Sequence, residues 1–111
     1  MLQCFLSLAK MPKQHNYFVY ILTNYNKTVL YVGVTNDLQV RITKHIEGNS
    51  IYAFTKKYKC FYLVYFERFQ YINDAIDREK EIKGWSRAKK NILIETENKY
   101  WRFLNEDIEE N

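Results

Sequence analysis

Two short runs of β-forming residues lie close together in this chain, and a helical segment follows the second run directly. The runs cover residues 17–22 and 29–34, are rich in Tyr, Val and Ile, and are joined by a short polar segment. Such runs predict two strands separated by a turn. Asn36 or Asp37 can then cap a helix that ends before Gly48.

One more strand and two more helices follow. Residues 60–66 are apolar nearly throughout, which predicts a central strand covered on both faces. Residues 50–59 before it are polar and basic and are expected to form a connection. Asn73 and Ser86 can cap the last two helices. The order strand, strand, helix, strand, helix, helix predicts a small α+β domain with helices packed against a sheet.

The size and charge of the chain limit what it can be. Its 111 residues suffice for one domain, and a hydrophobic fraction of 47% indicates a folded globular protein. The net charge of +4 favours an anionic partner, nucleic acid above all. No apolar run reaches the roughly 20 residues that span a bilayer, so no membrane association is expected. Cys4 and Cys60 lack metal-ligand spacing and predict free thiols in a reducing cytoplasm.

The two ends of the chain differ from its middle. Residues 1–15 are expected to form a flexible N-terminal extension, residues 16–104 the domain, and residues 105–111 an acidic tail. Met1 and Met11 both stay open as the start of translation.

The first predicted helix places two polar side chains beside its buried stripe. Leu38, Ile42 and Ile46 recur at helical spacing and are expected to face the sheet. Arg41 and His45 stand one turn apart at the edge of that stripe, so their side chains are expected to point along the sheet. Each also has an ordinary explanation, a surface salt bridge for the arginine and a satisfied half-buried position for the histidine.

An acidic residue interrupts the apolar face of the second helix. Ala75 and Ile82 define this face and Glu79 falls within it, whereas Arg78 is expected on the outer face. Acids are seldom buried unless they are paired or bound to a metal. Glu79 is therefore either half of a buried ion pair, with Arg41 as a candidate partner, or a carboxylate ligand for Mg²⁺.

Three further features have both a structural and a functional interpretation. Lys56, Lys57 and Tyr58 can hold phosphates and stack a base, although a solvated loop explains the same pattern. Gly33 stands alone inside a strand, which often marks the close approach of a backbone or ligand. Asn98 follows the last helix and can cap it.

The order of these residues resembles that of a known family. The triplets Val19-Tyr20-Ile21 and Tyr31-Val32-Gly33 are followed in the chain by Arg41, His45, Glu79 and Asn98. The chain resembles the GIY-YIG nuclease superfamily, and within it the small stand-alone bacterial proteins related to the N-terminal nuclease domain of the DNA-repair excinuclease. The phrases YVGVTNDLQVR, FTKKY, REKEIKGW and AKKNILIE are similar to that subgroup, and the resemblance covers residues 16–104. It implies a three-stranded antiparallel sheet flanked by helices.

The resemblance also implies a reaction, the hydrolysis of nucleic-acid phosphodiesters with one divalent metal, Mg²⁺ or Mn²⁺. Glu79 would bind the metal, and Arg41 would hold the scissile phosphate and offset its developing charge. Tyr20 or Tyr31 would help to activate the attacking water, with His45 as a hydrogen-bonding or proton-transfer partner. A tyrosine is a poor base at its usual pKa near 10, but a nearby metal and guanidinium favour the phenolate.

Two positions depart from the pattern of the family. Phe18 replaces a glycine that opens the first triplet in many members, and Val34 replaces a lysine that some members carry after the second. The second change removes a possible phosphate contact, which other basic residues would then supply. Gly33 and Asn98 would support the site.

The leading prediction is a metal-dependent DNA endonuclease of the bacterial cytoplasm, acting in DNA repair or processing. A domain of this size has no separate element for base readout, so we expect DNA structure or a repair-protein partner to direct cleavage. RNA stays open as a substrate. The alternatives are a catalytically weak or inactive nucleic-acid-binding module of the same fold, and a protein-interaction domain.

Overall fold

The structure, a computed structural model, describes residues 16–48 and 52–108. Three antiparallel strands, β1 (Tyr17–Thr23), β2 (Leu30–Thr35) and β3 (Tyr62–Phe69), form one sheet in the order β2-β1-β3. The helices are α1 (Leu38–Glu47), α2 (Ala53–Lys57), α3 (Ile72–Lys83) and α4 (Arg87–Glu97), and a 3₁₀ turn follows at Asn105–Ile108. The predicted α+β class and element order are confirmed.

The structure has a different outcome for each of three further predictions. The helix α2 lies in the segment that was expected to be a plain connection. The predicted N-terminal extension, its alternative start and Cys4 lie outside the described residues. Cys60 is a buried free thiol whose pKa is raised by that burial to about 11.

Successive residues of β1 face opposite sides of the sheet, as the pleat of a strand requires. Val19 and Ile21 pack in one core cluster with Ala75 and Ile82 of α3 and Ile94 of α4. The residues between and after them join a second cluster on the other face. Its buried members come from β1, α1, the start of β3 and the C-terminal turn, and they are Tyr20, Leu22, Leu38, Ile42, Cys60, Leu63 and Ile108. The sheet is therefore the middle layer, with α3 and α4 on one face and α1 on the other.

The third strand lies at an edge of the sheet and not in its centre, so that prediction was wrong. Leu22 pairs with Leu63 and Ile21 pairs with Tyr65, which leaves Val64 as the extra residue of a β-bulge. Val64 and Tyr65 consequently both join the α3 and α4 cluster. Leu63 lies in the cluster on the other face, so this part of β3 is covered on both faces as predicted, and the bulge interrupts the alternation of its side chains.

The outer edge of β3 is closed by the chain that follows α4. The backbone N–H of Leu104 donates to the carbonyl of Leu63 at 2.7 Å. The side chain of Asn105 accepts from the N–H of Leu63 at 2.9 Å and donates to the carbonyl of Phe61 at 2.9 Å. Pairing of this kind removes the exposed backbone that makes an edge strand prone to association. Residues 105–108, which the sequence placed in the acidic tail, thus pack on the domain.

Most of the predicted helix ends occur where they were expected. The Asp37 side chain caps α1 by accepting from Val40 N at 3.1 Å, and Gly48 ends it with a left-handed φ of 69°. Ser86 caps α4 by accepting from Lys89 N at 3.1 Å. Asn73 was wrong as a cap, because α3 begins one residue before it.

A partly buried ion pair ties α3 to β3. The Arg78 guanidinium donates two hydrogen bonds to the Glu67 carboxylate, at 2.9 and 2.8 Å, and lies 5.2 Å from the centre of the Trp85 ring. The prediction that Arg78 faces only solvent was therefore wrong. Burial acts to raise the pKa of Glu67, but the hydrogen bonds from Arg78 and Tyr65 outweigh it and leave that pKa lowered. Two parallel bonds of this kind fix orientation as well as distance.

The lone glycine of β2 is required by a ring that lies against it. Gly33 pairs directly with Tyr20, and a Cβ at Gly33 would lie 2.4 Å from the Tyr20 hydroxyl oxygen. Tyr20 is fully buried, so its ring has no free space into which it could move. The group that approaches this glycine is a side chain of the same sheet, and not the backbone or ligand that the sequence pattern indicated.

We expect Gly33→Ala to lower the free energy of unfolding by about 1–3 kcal/mol, because the added methyl group overpacks a filled core. The measurement is a urea unfolding curve. Gly84→Ala is the matched control, since a Cβ there would make only ordinary van der Waals contacts, with Glu81 O at 3.5 Å and Lys80 O at 3.8 Å. It should change stability by less than about 1 kcal/mol. Equal midpoints for the two variants would contradict the expected clash.

Candidate functional site

Four of the residues singled out in the sequence meet on the α1 face of the sheet. Tyr20 and Tyr31 stand on neighbouring strands, with ring centroids 6.3 Å apart. The His45 ring contacts both of them edge-on, at 5.8 Å from Tyr20 and 4.9 Å from Tyr31. Arg41, one turn before His45, is near enough to Tyr20 for its positive charge to act against the rise of the tyrosine's pKa. The hairpin and α1 together therefore assemble one aromatic and basic cluster.

Tyr20 is the buried centre of this cluster. None of its surface is exposed, and its hydroxyl lies 2.8 Å from His45 Nε2. Burial raises the pKa of Tyr20 far above its usual value of 10, the neighbouring Tyr31 adds to the rise, and Arg41 only partly offsets it. Tyr20 consequently keeps its proton at neutral pH. Tyr31, in contrast, is only half-buried.

His45 occupies the position in the buried stripe that was predicted for Ile46. His45 has no exposed surface, whereas Ile46 is 47% exposed, so that part of the predicted stripe was wrong. The second ring nitrogen, Nδ1, lies 2.8 Å from Thr55 Oγ1. Burial lowers the pKa of His45 to about 4, and the positive charge of Arg41 acts in the same direction. The ring is therefore neutral at physiological pH, with a partner at each nitrogen.

Arg41 lies at the border between the cluster and solvent. Its Nη1 donates to the backbone carbonyl of Val34 at 3.4 Å, and its guanidinium lies 5.9 Å from the centre of the Tyr52 ring. Its side chain is half-buried and follows the sheet, as its spacing along α1 predicted. Among the residues that the structure describes, no carboxylate forms an ion pair with it. An arginine held by a carbonyl keeps its charge available for an anion.

Helix α2 adds an aromatic wall that extends from the cluster to the surface. The Tyr52 ring stands 4.7 Å from His45, and the Phe54 ring lies 6.4 Å from Tyr31 and 4.8 Å from Tyr58. Phe54 is 49% exposed and Tyr58 is 40% exposed. The wall thus begins beside the buried His45 and ends in two aromatic rings that are exposed to solvent.

The two predicted phosphate-binding lysines of α2 have different surroundings. Lys56 donates to the carbonyl of Glu47 at 3.3 Å, and its stem fills the space above Gly48, so it closes the C-terminal end of α1. Lys57 is exposed, and its ammonium lies 5.4 Å from the Tyr58 ring centre. Lys57 is the better placed of the two for a phosphate.

Glu79 belongs to α3, the helix that packs on the face of the sheet opposite to this cluster. Its side chain is 12% exposed, and its carboxylate lies 2.6 Å from Lys83 Nζ. The predicted partial burial is present, but the ion-pair partner is Lys83 and not Arg41. β2 is an edge strand of the sheet. Arg41 contacts it from the α1 face, and helix α3 contacts it from the other face.

Asn98 caps α4, as its position predicted, and also braces the bulge of β3. Its side chain donates to the carbonyls of Val64 at 2.9 Å and Arg102 at 2.8 Å, and it accepts from the N–H of Arg102 at 2.9 Å. These contacts support β3 and the closing turn. They are separate from those of the Tyr20 and His45 pair.

Thr55, Tyr52 and Phe54 contribute to the cluster but were missing from the sequence analysis. The mixture of aromatic and basic residues in this segment indicated contact with nucleic acid. The sequence did not indicate that the side chain of Thr55 faces inward. The short helix α2, which directs Thr55 toward His45, has no side-chain cap and no apolar stripe of its own.

Comparison with known proteins decides the family. Residues 16–91, more than half of the chain, match the family model of the GIY-YIG catalytic domain. The chain belongs to the GIY-YIG family. Membership supports a nuclease-type function and a nucleic-acid substrate for this protein.

Its relatives are themselves small proteins. A UPF0213 protein of Bacillus pumilus is 35% identical over 83 residues, which cover 75% of this chain and 83% of the relative. One of Natronomonas pharaonis is 37% identical over 82 residues, covering 74% and 94%. The solution NMR structure of a UPF0213 protein from Bacillus halodurans matches with a TM-score of 0.50 and 32% identity, covering 78% of this chain and 89% of that one.

Binding of Mg²⁺ by Glu79 stays a prediction, and a site there would rest on a single carboxylate that is now paired with Lys83. Mg²⁺ is commonly held by one or two carboxylates, with waters and substrate phosphates completing the shell. Glu79 offers such a carboxylate. Residues 16–48 and 52–108 contain no group of three His, Cys, Asp or Glu side chains arranged to hold a metal. Within the same two ranges, no helix is long and apolar enough to cross a membrane.

The buried neutral His45 should make the GIY-YIG domain less stable in mild acid. The unfolded chain binds a proton at His45 near pH 6.5, but the folded protein does so only near pH 4. Between these values the unfolded state holds more protons, so stability falls as the pH falls, by roughly 2–3 kcal/mol over the window. Urea unfolding measured from pH 7 to pH 4 tests this expectation.

Two histidine variants test whether His45 causes this pH dependence of stability. His45→Gln should flatten it, whereas His15→Gln is the matched substitution of the other histidine and should leave it unchanged. The same pH dependence in His45→Gln as in the wild type would show that His45 titrates normally in the folded protein.

Proposed function

We propose that this protein is a metal-dependent endonuclease that hydrolyses phosphodiester bonds of DNA. The observation that carries the proposal is the meeting of Tyr31, Arg41 and the Tyr20–His45 pair on one face of a GIY-YIG sheet. A phosphodiester resists attack because it is anionic, so cationic groups must offset its charge before water can approach. The exposed side of the cluster contains such a group in Arg41.

The surroundings of the two tyrosines favour different roles for them. Tyr20 is buried, keeps its proton and is bonded to His45. It holds the neighbouring rings in place. Tyr31 is half-buried at the border of the cluster and is the tyrosine that can reach a substrate. We therefore assign Tyr31 to the attacking water, which its side chain would orient and, in the phenolate form, would deprotonate.

The scissile phosphate would lie across the β2 edge. Arg41 approaches β2 from the α1 face, and α3, which carries Glu79, packs against β2 from the other face. A phosphate at this edge could contact the guanidinium on one side and face the Glu79 carboxylate on the other. The Mg²⁺ held by Glu79 would supply positive charge to the phosphate and to the leaving oxygen.

The aromatic wall of α2 favours a substrate with unpaired bases. Phe54 and Tyr58 present open rings next to Tyr31, with the Lys57 ammonium beside them. Proteins that bind single strands combine stacking rings with basic residues in this way, whereas paired bases keep their faces inside the duplex. Single-stranded or frayed DNA, as arises in repair and processing in the cytoplasm, is the proposed substrate.

Glu79→Gln should abolish cleavage. We expect a loss of about 10²-fold or more, because the variant keeps the shape of the side chain but removes the charge that holds the metal. The assay follows end-labelled single-stranded, duplex, nicked and branched DNA, and a matched RNA strand, with Mg²⁺, with Mn²⁺ and with EDTA. Metal-dependent cutting of the single strand by the wild type is the expected result.

Glu81→Gln is the matched control, because Glu81 is an exposed acid on the same helix and its carboxylate pairs with Arg78. Its cleavage rate should stay within about twofold of the wild type. Equal activity in Glu79→Gln and the wild type would remove Glu79 from the mechanism. If the wild type binds DNA in a salt-sensitive way without cutting it, the binding-module alternative takes the place of the nuclease.

Phe54→Ala and Tyr58→Ala should weaken binding to a single strand by about tenfold each, since one stacked base contributes about 1–3 kcal/mol. Fluorescence anisotropy of labelled oligo(dT) in EDTA measures this without cleavage. Tyr100→Ala removes an even more exposed ring outside the aromatic wall and should have no effect. An unchanged affinity in both α2 variants would locate the strand elsewhere on the protein.

A further inference from the structure

Behind the site, a line of buried polar groups connects the centre of the sheet to α2. Tyr20 OH lies 2.8 Å from His45 Nε2, His45 Nδ1 lies 2.8 Å from Thr55 Oγ1, and that hydroxyl donates to the carbonyl of Tyr52 at 2.9 Å. Tyr20, His45 and Thr55 are each at most 1% exposed. Hydrogen bonds thus join three side chains, one each from β1, α1 and α2, in a continuous chain.

The direction of the line follows from how many protons each group carries. A carbonyl oxygen can only accept, so the single hydroxyl proton of Thr55 is used on Tyr52. Thr55 Oγ1 can then only accept from His45, which requires the proton of the imidazole to sit on Nδ1. A neutral imidazole has one proton, so Nε2 is bare and accepts the hydroxyl proton of Tyr20.

We propose that Thr55 is a positioning residue of this nuclease, which fixes His45 in its Nδ1–H form and thereby holds Tyr20 and the adjoining Tyr31 in place. Thr55 does not touch the substrate. Its action passes through the His45 ring, which is bonded to Tyr20 and packs edge-on against Tyr31 at 4.9 Å. The burial that keeps His45 neutral is consistent with a single fixed form of the ring.

The contact between Thr55 and His45 also connects α2 to the candidate site. Thr55 belongs to the same short helix as the exposed Phe54 and lies three residues before Tyr58. The segment that would bind the strand is therefore connected to the reacting groups through a buried hydroxyl. The inference about catalysis rests on the proposed nuclease function, whereas the inference about the imidazole proton stands on the contacts alone.

The first test needs no variant and no activity. In the ¹⁵N NMR spectrum of uniformly labelled wild-type protein at pH 7, His45 should show a protonated Nδ1 and a bare Nε2. A protonated Nε2 would overturn the proposal, because Thr55 would then donate to the ring instead of accepting from it. This measurement has the same meaning whether or not the protein cuts DNA.

The second test compares Thr55→Val with Thr55→Ser. The valine has the same shape but no acceptor, so His45 should lose its single Nδ1–H signal and cleavage should slow by about tenfold or more through kcat, with KM little changed. The serine should restore both the spectrum and the rate. Thr43→Val is the matched control, because Thr43 is an exposed threonine of α1 that bonds only its own helix.

Each outcome decides between positioning and packing. A Thr55→Val protein that keeps the wild-type His45 signals and rate would overturn the proposal. Equal loss of rate in the valine and serine variants would also overturn it, since packing and not the hydroxyl would then matter. If Thr55→Val fails to fold, the wild-type spectrum and the serine variant still give the answer.

Discussion

The hydroxyl of Tyr20 is a polar group in the middle of a buried sheet face, and much of the structure depends on satisfying it. A buried hydroxyl without a partner costs about 1–3 kcal/mol. His45 supplies the partner, Thr55 supplies the partner for the second nitrogen of that ring, and Gly33 leaves the space in which the phenol lies. The hairpin, α1 and α2 are thus held in one mutual arrangement.

The neutrality of this buried network determines the electrostatics of the site. A charged imidazole beside Arg41 would repel it, so keeping His45 neutral leaves the guanidinium as the positive group at the border of the cluster. Glu79, the acid that the family resemblance assigns to the metal, belongs to α3 on the other face of the sheet and pairs with Lys83 of the same helix. Arg41 and this ion pair are therefore carried by helices on different faces of the sheet.

The other half of the domain fixes the position of α3. Arg78 joins α3 to Glu67 with two hydrogen bonds, and Glu79 is the next residue along that helix. β3 in turn is held at its bulge by Asn98 and along its edge by Asn105. Residues that have no chemistry of their own in the proposed reaction thus determine where the carboxylate of Glu79 lies.

The sequence by itself determined the caps of α1 and α4, the order of the elements, the antiparallel hairpin with its glycine, and the set of residues that resembles the GIY-YIG family. These follow from spacing and from neighbours along the chain. Only the tertiary structure decided that β1 and not β3 is central, that Arg78 of α3 pairs with Glu67 of β3, and that Thr55 completes the contacts of His45. A bulge, an ion-pair partner and a buried hydroxyl depend on which distant segments pack together, and packing across the sheet leaves no periodic trace in the sequence.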